Sequence, residues 1–369
     1  MSTRVLVIGG YGNFGCLIAC RLSREPGITV IIAGRSQTKA RAAADAMEAM
    51  EAEWLAIDVP RTLDAGLDSA RPDIVIYTSG PFQTQGYEMA EACIRHRSHY
   101  IDLADGRDFV TNIERLDETA KAAGVLVVSG ASTVPALTSA IVDRYRNEFL
   151  TLESIDYGIA TAQQNNPGLA TTRSVLSYAG KPFTTLIDGT MKQVYGWQDL
   201  RWRKFRGLGW RALGNCDVPD LALFPRRYPD LKTIRFQAGL ELAIVHLSLW
   251  ALTGIVRIGA LSSLAGAAPI LLSLSRLLDR IGTDASGFYM EMNGDDHAGR
   301  RRRIIFELTA KSGCGPLIPC APAIMAALQL ARGKIIKQGA TACVGLLDLG
   351  ALLDELRRFD IEHHVTFSA

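Results

Sequence analysis

The sequence has almost no excess charge of either sign. Forty Lys and Arg stand against 38 Asp and Glu, a formal net charge of +2. That balance gives no support to nucleic acid as the main partner. Cysteine is sparse and unpatterned: residues 16, 20, 93, 216, 314, 320 and 343 make an odd set of 7 without zinc-ligand spacing. Cys314 and Cys320 have no partner Cys or His pair at metal distance along the chain. No metal site is expected, and the thiols read as the reduced, mostly buried cysteines of an intracellular protein. Proline is scarce beside glycine, 14 against 34, and no fixed period is present, which excludes a collagen-like or Pro-rich chain. There is no G-x-S-x-G and no H-E-x-x-H. No apolar run reaches the roughly 20 residues of a membrane-spanning helix. The early run Val5–Ile8 is too short for a signal-peptide core and no cleavage pattern follows it, so a cytoplasmic location is expected.

What is present is enough apolar chain for a large core. The 369 residues are 48% hydrophobic and 21% charged. That excludes whole-chain disorder and suggests two domains, or one large one with an insertion.

The first half alternates strand and helix. Short apolar runs at Arg4–Ile8, Thr29–Ala33, Trp54–Ile57, Asp73–Thr78, Tyr100–Leu103 and Val125–Val128 read as strands covered on both faces. Helix spacing occupies Asn13–Arg24, Gln37–Met50, Tyr87–Arg97 and Phe109–Ala123. Strict alternation implies an α/β domain: a Rossmann doubly wound parallel sheet with right-handed crossovers. Beyond Gly130 the rhythm changes. Val134–Phe149 looks helical. Longer strand-like runs follow at Leu152–Thr161, Thr190–Tyr195, Thr233–Ala238, Phe288–Asn293 and Ile304–Ala310, the last two joined by the turn residues 294–299. These predict a second α+β domain with a mostly antiparallel sheet. The expected divisions are 1–132, 133–345, and 346–369, a C-terminal helix (Leu346–Arg358) and tail packing back on the first domain.

The chemistry starts at the first turn. Gly10-Tyr11-Gly12-Asn13-Phe14-Gly15 fits G-x-G-x-x-G, and it follows a strand and opens a helix, the context that gives the pattern meaning. Gly10 permits the tight turn, Gly12 lets a pyrophosphate approach the backbone, and Gly15 lets the helix lie close to the sheet. The helix N-terminus then offers N–H groups and partial positive charge to the anion. The end of the second strand selects the nucleotide. An NAD site usually carries Asp or Glu there; this chain has Arg35 and Ser36, with Lys39 a turn further on, which suit a 2′-phosphate. NADP is the expected cofactor, and Ser36 can also serve as a helix N-cap. Asp58, after the third strand, reaches the adenine or caps the next helix. Ser79, Gly80, Pro81 and Phe82, after the fourth, are placed beside the nicotinamide ribose. Asp102 and Asp105, at the end of the fifth, are the candidate catalytic groups, moving a proton or pairing with an ammonium substrate. Their plainer roles are a structural acceptor for Asp102 and a helix N-cap for Asp105. His99 reads as a surface or packing histidine.

GGYGNFG, IIAGRS, SGPF, EACIRHRSHYIDLADG and SGASTVPAL together resemble the saccharopine dehydrogenase-like oxidoreductases over residues 1 to about 140. The resemblance implies an NADP-binding Rossmann domain, an α+β second domain forming the substrate cleft, and often a dimer. It implies hydride transfer at an imine or secondary amine of a small-molecule substrate. A related branch, the trans-acting enoyl reductases, reduces C=C bonds on lipid-like substrates, and a C=C or C=O reductase or a non-catalytic NADP sensor are the alternatives.

Other segments take a bland reading first. Asn165-Asn166-Pro167-Gly168 is either a loop closing over the cleft or a turn. Arg300–Arg303 is expected on a solvated sheet edge. Tyr195, Trp197, Trp202 and Trp210 are expected to pack together rather than line a pocket. Leu240–Leu252 and Ile258–Leu274 read as two buried or surface-lying helices, in preference to a docking surface for lipid or a second subunit.

Overall fold

The computed structural model describes residues 2–47, 52–165 and 168–368. The chain forms two compact units, residues 1–137 with 317–352 and residues 138–316 with 353–369.

In the first unit the elements run β1 (Thr3–Ile8), α1 (Asn13–Leu22), β2 (Ile28–Gly34), α2 (Gln37–Asp45), β3 (Glu53–Ala56), α3 (Val59–Ala70), β4 (Ile74–Tyr77), α4 (Glu88–Arg95), β5 (His99–Asp102), α5 (Arg107–Thr111), α6 (Asp117–Ala123) and β6 (Leu126–Ser129). A later strand, β15 (Gly339–Ala342), joins beyond β6, giving the order β15-β6-β5-β4-β1-β2-β3 with every neighbour parallel. Val5, Leu6 and Val7 are fully buried, as are Val127 and Val128, because helices cover both faces of the sheet. This is the doubly wound sheet the alternation implies.

Two helices differ from expectation. The single helix expected over Phe109–Ala123 breaks into α5, a 3₁₀ turn at Ile113–Leu116, and α6. Ile113 and Leu116 are both buried, and the tighter turn puts positions three apart on one line facing the core. Helix α3 went unassigned. Its Pro lies in the first turn, where no N–H is missed, so the residue that looks like a breaker is a starter. Residues 48–50 of the expected second helix lie outside the described residues.

The second unit holds α7 (Thr138–Tyr145), β7 (Thr151–Thr161), α8 (Gly168–Tyr178), β8 (Pro182–Ile187), β9 (Thr190–Tyr195), β10 (Arg201–Phe205), β11 (Gly209–Asn215), α9 (Asp220–Arg227), β12 (Thr233–Leu240), α10 (Ala243–Arg257), α11 (Ala268–Arg276), β13 (Ser286–Asp295), β14 (Arg301–Ala310) and the C-terminal β16 (Ile361–Ser368). Its sheet has the order β10-β11-β12-β7-β13-β14-β16, antiparallel except where β12 meets β7; β8 and β9 form a separate hairpin. Alternation is clear in β14, where Ile304, Phe306 and Leu308 face the core and Phe306 meets Phe288 at 6.4 Å between ring centroids.

Three placements correct the sequence reading. Residues 317–342 return to the parallel sheet: α12 (Leu317–Ala331) packs on α1, and β15 pairs with β6. The last residues form β16 on β14 rather than a tail on the first unit, and the helix before it is the shorter α13 (Leu349–Leu356). Arg303 is not at a free edge, since it lies opposite Ser368 of β16, whereas Arg301 and Arg302 pair with β13 alone among the described residues. Arg302 donates to Glu148 at 2.8 Å and Arg303 pairs with Glu291 at 2.9 Å.

Of the four aromatics grouped above, Trp197 is buried, whereas Trp202 and Trp210 are exposed on the β10–β11 hairpin. Asn165 donates to the Ser286 hydroxyl at 3.1 Å; Asn166 and Pro167 lie outside the described residues. Among the described residues no helix is long and apolar enough to cross a membrane, and no His, Cys, Asp and Glu gather as metal ligands.

The return of α12 and β15 has a measurable consequence. A fragment of residues 1–137 alone exposes the β6 edge and the α1 surface, and is expected to aggregate or exchange its amides without protection. The same fragment linked to residues 317–352 is expected to give protected β6 amides in hydrogen exchange.

Candidate functional site

Parallel register brings the carboxyl ends of the strands into one row. Ile8 lies beside Ala33 on β2 and Tyr77 on β4, and Tyr77 lies beside Asp102 on β5. The chain leaves β1 and β4 on opposite sides of the row, the crevice where open α/β sheets bind ligands.

The first turn is built by missing side chains. Gly9 adopts the left-handed region, φ 83°, and a Cβ there would lie 2.5 Å from Thr78 Oγ1 and 2.7 Å from Ser79 Oγ. Both Gly9 N and Gly10 N donate to Ala33 O, at 2.8 and 3.1 Å, so the turn is fastened to the end of β2. A Cβ on Gly15 would drive into the Gly9 carbonyl, so only glycine lets α1 lie this close to the turn. Gly12 is different. It occupies the N-cap of α1 with an unstrained φ of −81°, caps it with no side chain, and a Cβ there would meet only Gly9 O, at 3.1 Å. The opening of α1 is therefore bare on its outer side, with Asn13 and Phe14 in its first turn and no acid among them.

Tyr11 ties this turn to the end of β2. Its hydroxyl accepts from Ser36 N at 3.1 Å, and its ring lies so close to Gly34 that a Cβ there would come within 2.5 Å of it. Ser36 is the N-cap of α2, its Oγ accepting from Lys39 N at 3.3 Å. Arg35 and Lys39 are exposed, and no described residue forms an ion pair with either. Asp58 follows close by, since Ile57 N donates to Gly34 O at 3.0 Å. It sits at the N-cap of α3 without making a cap bond, and its carboxylate lies 3.9 Å from Arg61 Nε.

Ser79, Gly80, Pro81 and Phe82 turn across the end of β4. Gln85 holds the turn: its amide nitrogen donates to Ser79 O at 2.8 Å and Pro81 O at 3.0 Å, and its Oε1 accepts from Tyr77 OH at 2.9 Å. Phe82 is buried between Tyr77 and Phe109, at 5.6 and 5.3 Å between centroids. Burial, reinforced by the Asp102 charge, pushes the Tyr77 phenol up to about 12, so at neutral pH it is a donor.

The two candidate catalytic carboxyls separate. Asp102 is 0% exposed. Its Oδ1 accepts from Gly130 N at 2.8 Å, Ala104 N at 2.9 Å and Ser129 Oγ at 3.0 Å. That gives Asp102 the structural role, clasping the end of β5 to the end of β6. Burial pushes its carboxyl up to about 6 against those three bonds, which favour the charged form. Asp105 is half-buried and accepts from Gln83 Nε2 at 3.0 Å. It does not cap α5, whose N-cap is Gly106. His99 accepts from Leu126 N at 2.9 Å, and burial holds its pKa below the usual value.

The structure thus brings Gly9–Gly15, Gly34–Ser36 and Ser79 together, and links Asp105 to the residues just after Phe82. Sequence reasoning missed Gly9, Gln83, Gln85, Ser129 and Gly130. The doubled glycine at 9–10 was a signal; the glutamines carried none. The residues fit a nicotinamide dinucleotide. The bare opening of α1 suits a pyrophosphate.

Comparison with known proteins agrees. Residues 5–128 match the saccharopine dehydrogenase NADP binding domain. No curated protein matches the sequence. Among solved structures, apo saccharopine dehydrogenase (L-Glu forming) from Saccharomyces cerevisiae matches with a TM-score of 0.71 at 14% identity, covering 100% of both chains. Amine dehydrogenase from Mycobacterium smegmatis matches with a TM-score of 0.50 at 10% identity, covering 94% of this chain and 96% of that one. The chain has the fold of a saccharopine dehydrogenase, and its residues 5–128 match that family's NADP binding domain.

Two outcomes follow from this geometry. Gly12→Ala is expected to fold normally yet bind nicotinamide dinucleotide about tenfold or more weakly by calorimetry, whereas Gly15→Val is expected to lose stability by several kcal/mol through overpacking. For Asp102 the folded carboxyl titrates near 6 and the unfolded one near 3.8. The folded state therefore holds the proton more tightly, and this group's contribution to stability rises as pH falls through that window. Urea titrations should show the wild type gaining on Asp102→Asn by up to about 3 kcal/mol between pH 7 and pH 4.

Proposed function

We propose that the chain is an NADP-dependent oxidoreductase acting on a carbon–nitrogen bond, either reducing an imine or oxidising the corresponding amine of a small-molecule substrate. The observation that carries the NADP assignment is the end of β2. Arg35 and Lys39 stand there exposed and unpaired among the described residues, with the Ser36 hydroxyl between them, where a carboxylate would mark NAD. A guanidinium can grip a 2′-phosphate through two parallel hydrogen bonds.

The bond type is supported by the two solved structures named above, a saccharopine dehydrogenase and an amine dehydrogenase. When bound, the reduced nucleotide would donate a hydride to an imine, and the oxidised one would accept it from an amine. The chain's own residues bind, orient and handle protons. Gly12 keeps the opening of α1 bare for the pyrophosphate, and Gly10 and Gly15 fix the angle of that helix. Tyr11 holds the Ser36 amide, and so sets the position of the cation pair relative to the first turn. Gln85 fixes the Ser79–Phe82 turn beside the same crevice. Asp105, half-buried and held by Gln83, is the group placed to exchange a proton or meet an ammonium; Asp102 positions the loop that carries it through the Ala104 amide.

The test begins with the cofactor. Arg35→Asp is expected to weaken NADPH binding by about tenfold or more while leaving NADH within about threefold, read by quenching of nicotinamide fluorescence. Equal losses for the two nucleotides overturn the 2′-phosphate assignment. NADPH oxidation across a panel of keto acids with amines tests the bond. Turnover of enoyl or carbonyl substrates without any imine turnover overturns the carbon–nitrogen assignment, and firm NADPH binding with no turnover anywhere in the panel makes the chain a nucleotide sensor.

A further inference from the structure

Helix α10 buries two polar side chains and leaves large apolar ones exposed. A helix that meets only water on its outer face puts its apolar stripe inward. Here the inward positions are His246, Thr253 and Val256, and His246 and Thr253 are both 0% exposed. Inside, His246 Nδ1 accepts from Leu240 N while its Nε2 is buried with no hydrogen-bond partner among the described residues, its ring lies 5.3 Å from Trp197, and Thr253 Oγ1 accepts from Gln198 Nε2 at 2.8 Å. The opposite side carries Ile244, Ile255 and Ile258, at i, i+11 and i+14, which is one helical stripe. Ile244 is 66% exposed and Ile258 79%. The pattern repeats beyond the connecting loop, where Ile270, Leu274 and Leu277, spaced four and three apart, are all exposed. Nine of the sixteen large hydrophobics that stand exposed among the described residues fall between Ile244 and Ile281.

Charge decides what covers such a surface. From Leu242 to Leu278 the chain has Arg257 and Arg276 and no Asp or Glu. Arg280 follows. All three are exposed, and no described residue pairs with any of them as an ion pair; Arg257 instead lies over the Tyr195 ring at 4.5 Å. The next acid, Asp279, accepts from Gln163 Nε2 at 2.9 Å. A second copy docked about a two-fold axis would set these cations against themselves, with no carboxylate in the segment to answer them. A surface of anionic phospholipid answers both features, since it takes the isoleucines and leucines into its acyl boundary and the arginines at its phosphates. With no helix among the described residues able to cross a bilayer, contact is limited to one face. We propose that α10, α11 and their connecting loop dock the protein on the surface of an anionic membrane.

The full chain is tested by co-sedimentation with vesicles of phosphatidylcholine alone and of phosphatidylcholine mixed with phosphatidylglycerol. Binding to the mixed vesicles is expected to be tighter by about tenfold or more, and to weaken with added salt. A triple substitution, Ile255→Glu with Ile258→Glu and Leu274→Glu, is expected to abolish pelleting while circular dichroism and NADPH fluorescence stay as in the wild type. The pair Arg276→Glu and Arg280→Glu, which leaves the apolar stripe untouched, is expected to erase the preference for phosphatidylglycerol. Failure of the wild type to pellet, or pelleting that neither variant alters, overturns the proposal. So does a wild-type dimer in light scattering that the triple substitution converts to monomer without any vesicle binding, which would assign the face to a second copy. Loss of NADPH binding bears only on the nucleotide site and leaves this reading intact.

Discussion

The first unit depends on a single close approach. Helix α1 lies so near the preceding turn that position 15 has no room for a side chain, and the turn can bend back only because position 9 is left-handed and equally bare. Fixing those two residues fixes the direction of the helix axis, and with it the place where the amides of the first turn point. The rest of the crevice is then assembled against this corner. The Gly9 and Gly10 amides hold the Ala33 carbonyl, which sets where β2 ends and hence where Arg35 emerges. Thr78 bonds the Ile8 carbonyl from the other side, which sets where Ser79 begins its turn. The glycine corner and the loop at the end of β2 are thus one construction: a side chain at Gly9 would press on Ser79 directly, and a change at Gly9 or Gly15 would reach Arg35 through the backbone without touching it.

A second construction stands further along the same row. Asp102 is a carboxylate where a sheet would ordinarily end in backbone, and it gathers two amides and a hydroxyl that β5 and β6 leave behind. Its cost is desolvation, visible as a carboxyl raised to about 6, and its return is a fixed path for the Leu103–Gly106 segment. That segment carries Asp105 to Gln83, while the neighbouring Gln85 fastens the Ser79–Pro81 carbonyls to the Tyr77 hydroxyl. Gln85 works as an adapter: it offers both a donor and an acceptor, and turn carbonyls at the strand ends need donors that the sheet does not supply.

Much of the first unit was legible because its signals are local. Six short apolar runs with helices between them announce a covered parallel sheet, and G-x-G-x-x-G after the first run says which turn matters. What failed to show was whatever depends on residues distant in sequence. The seventh strand reads Gly339-Ala340-Thr341-Ala342, small residues with one β-branched side chain, and nothing in it says that it will extend β6 across two hundred residues. Helix α12 carries Pro322 within it, so it reads as broken when it is whole. The edge strands β10 and β16, and β11 beside β10, are polar on one side and carry charged or aromatic residues outward, so they lack the hydrophobic period that exposed β13 and β14 to view. At the site, the glycines and the arginine were readable because their chemistry is carried by residue type. Gln83 and Gln85 were not, because a glutamine's role is set by where it reaches.

The region between Leu240 and Leu274 shows the limit most clearly. Its hydropathy was read correctly as two helices, yet hydropathy alone gives no sense of which side faces in. A helix whose outer face is apolar and whose inner face carries a histidine and a threonine has the same composition as an ordinary buried one. The inward polar face is tolerable here because it stays uncharged: burial pulls the His246 imidazole down to about 4, so it enters the interior as a neutral ring against Trp197, and Thr253 bonds both Gln198 and the Trp250 carbonyl. The isoleucines stand on the other face, where Ile244 is 66% exposed and Ile258 79%. Holding them in water costs free energy that burial would recover, at about 25 cal/mol for each Å². The apolar side chains left outside lie on a stretch, Leu242 to Leu278, that carries Arg257 and Arg276 and no carboxylate, and an anionic surface would answer both features at once.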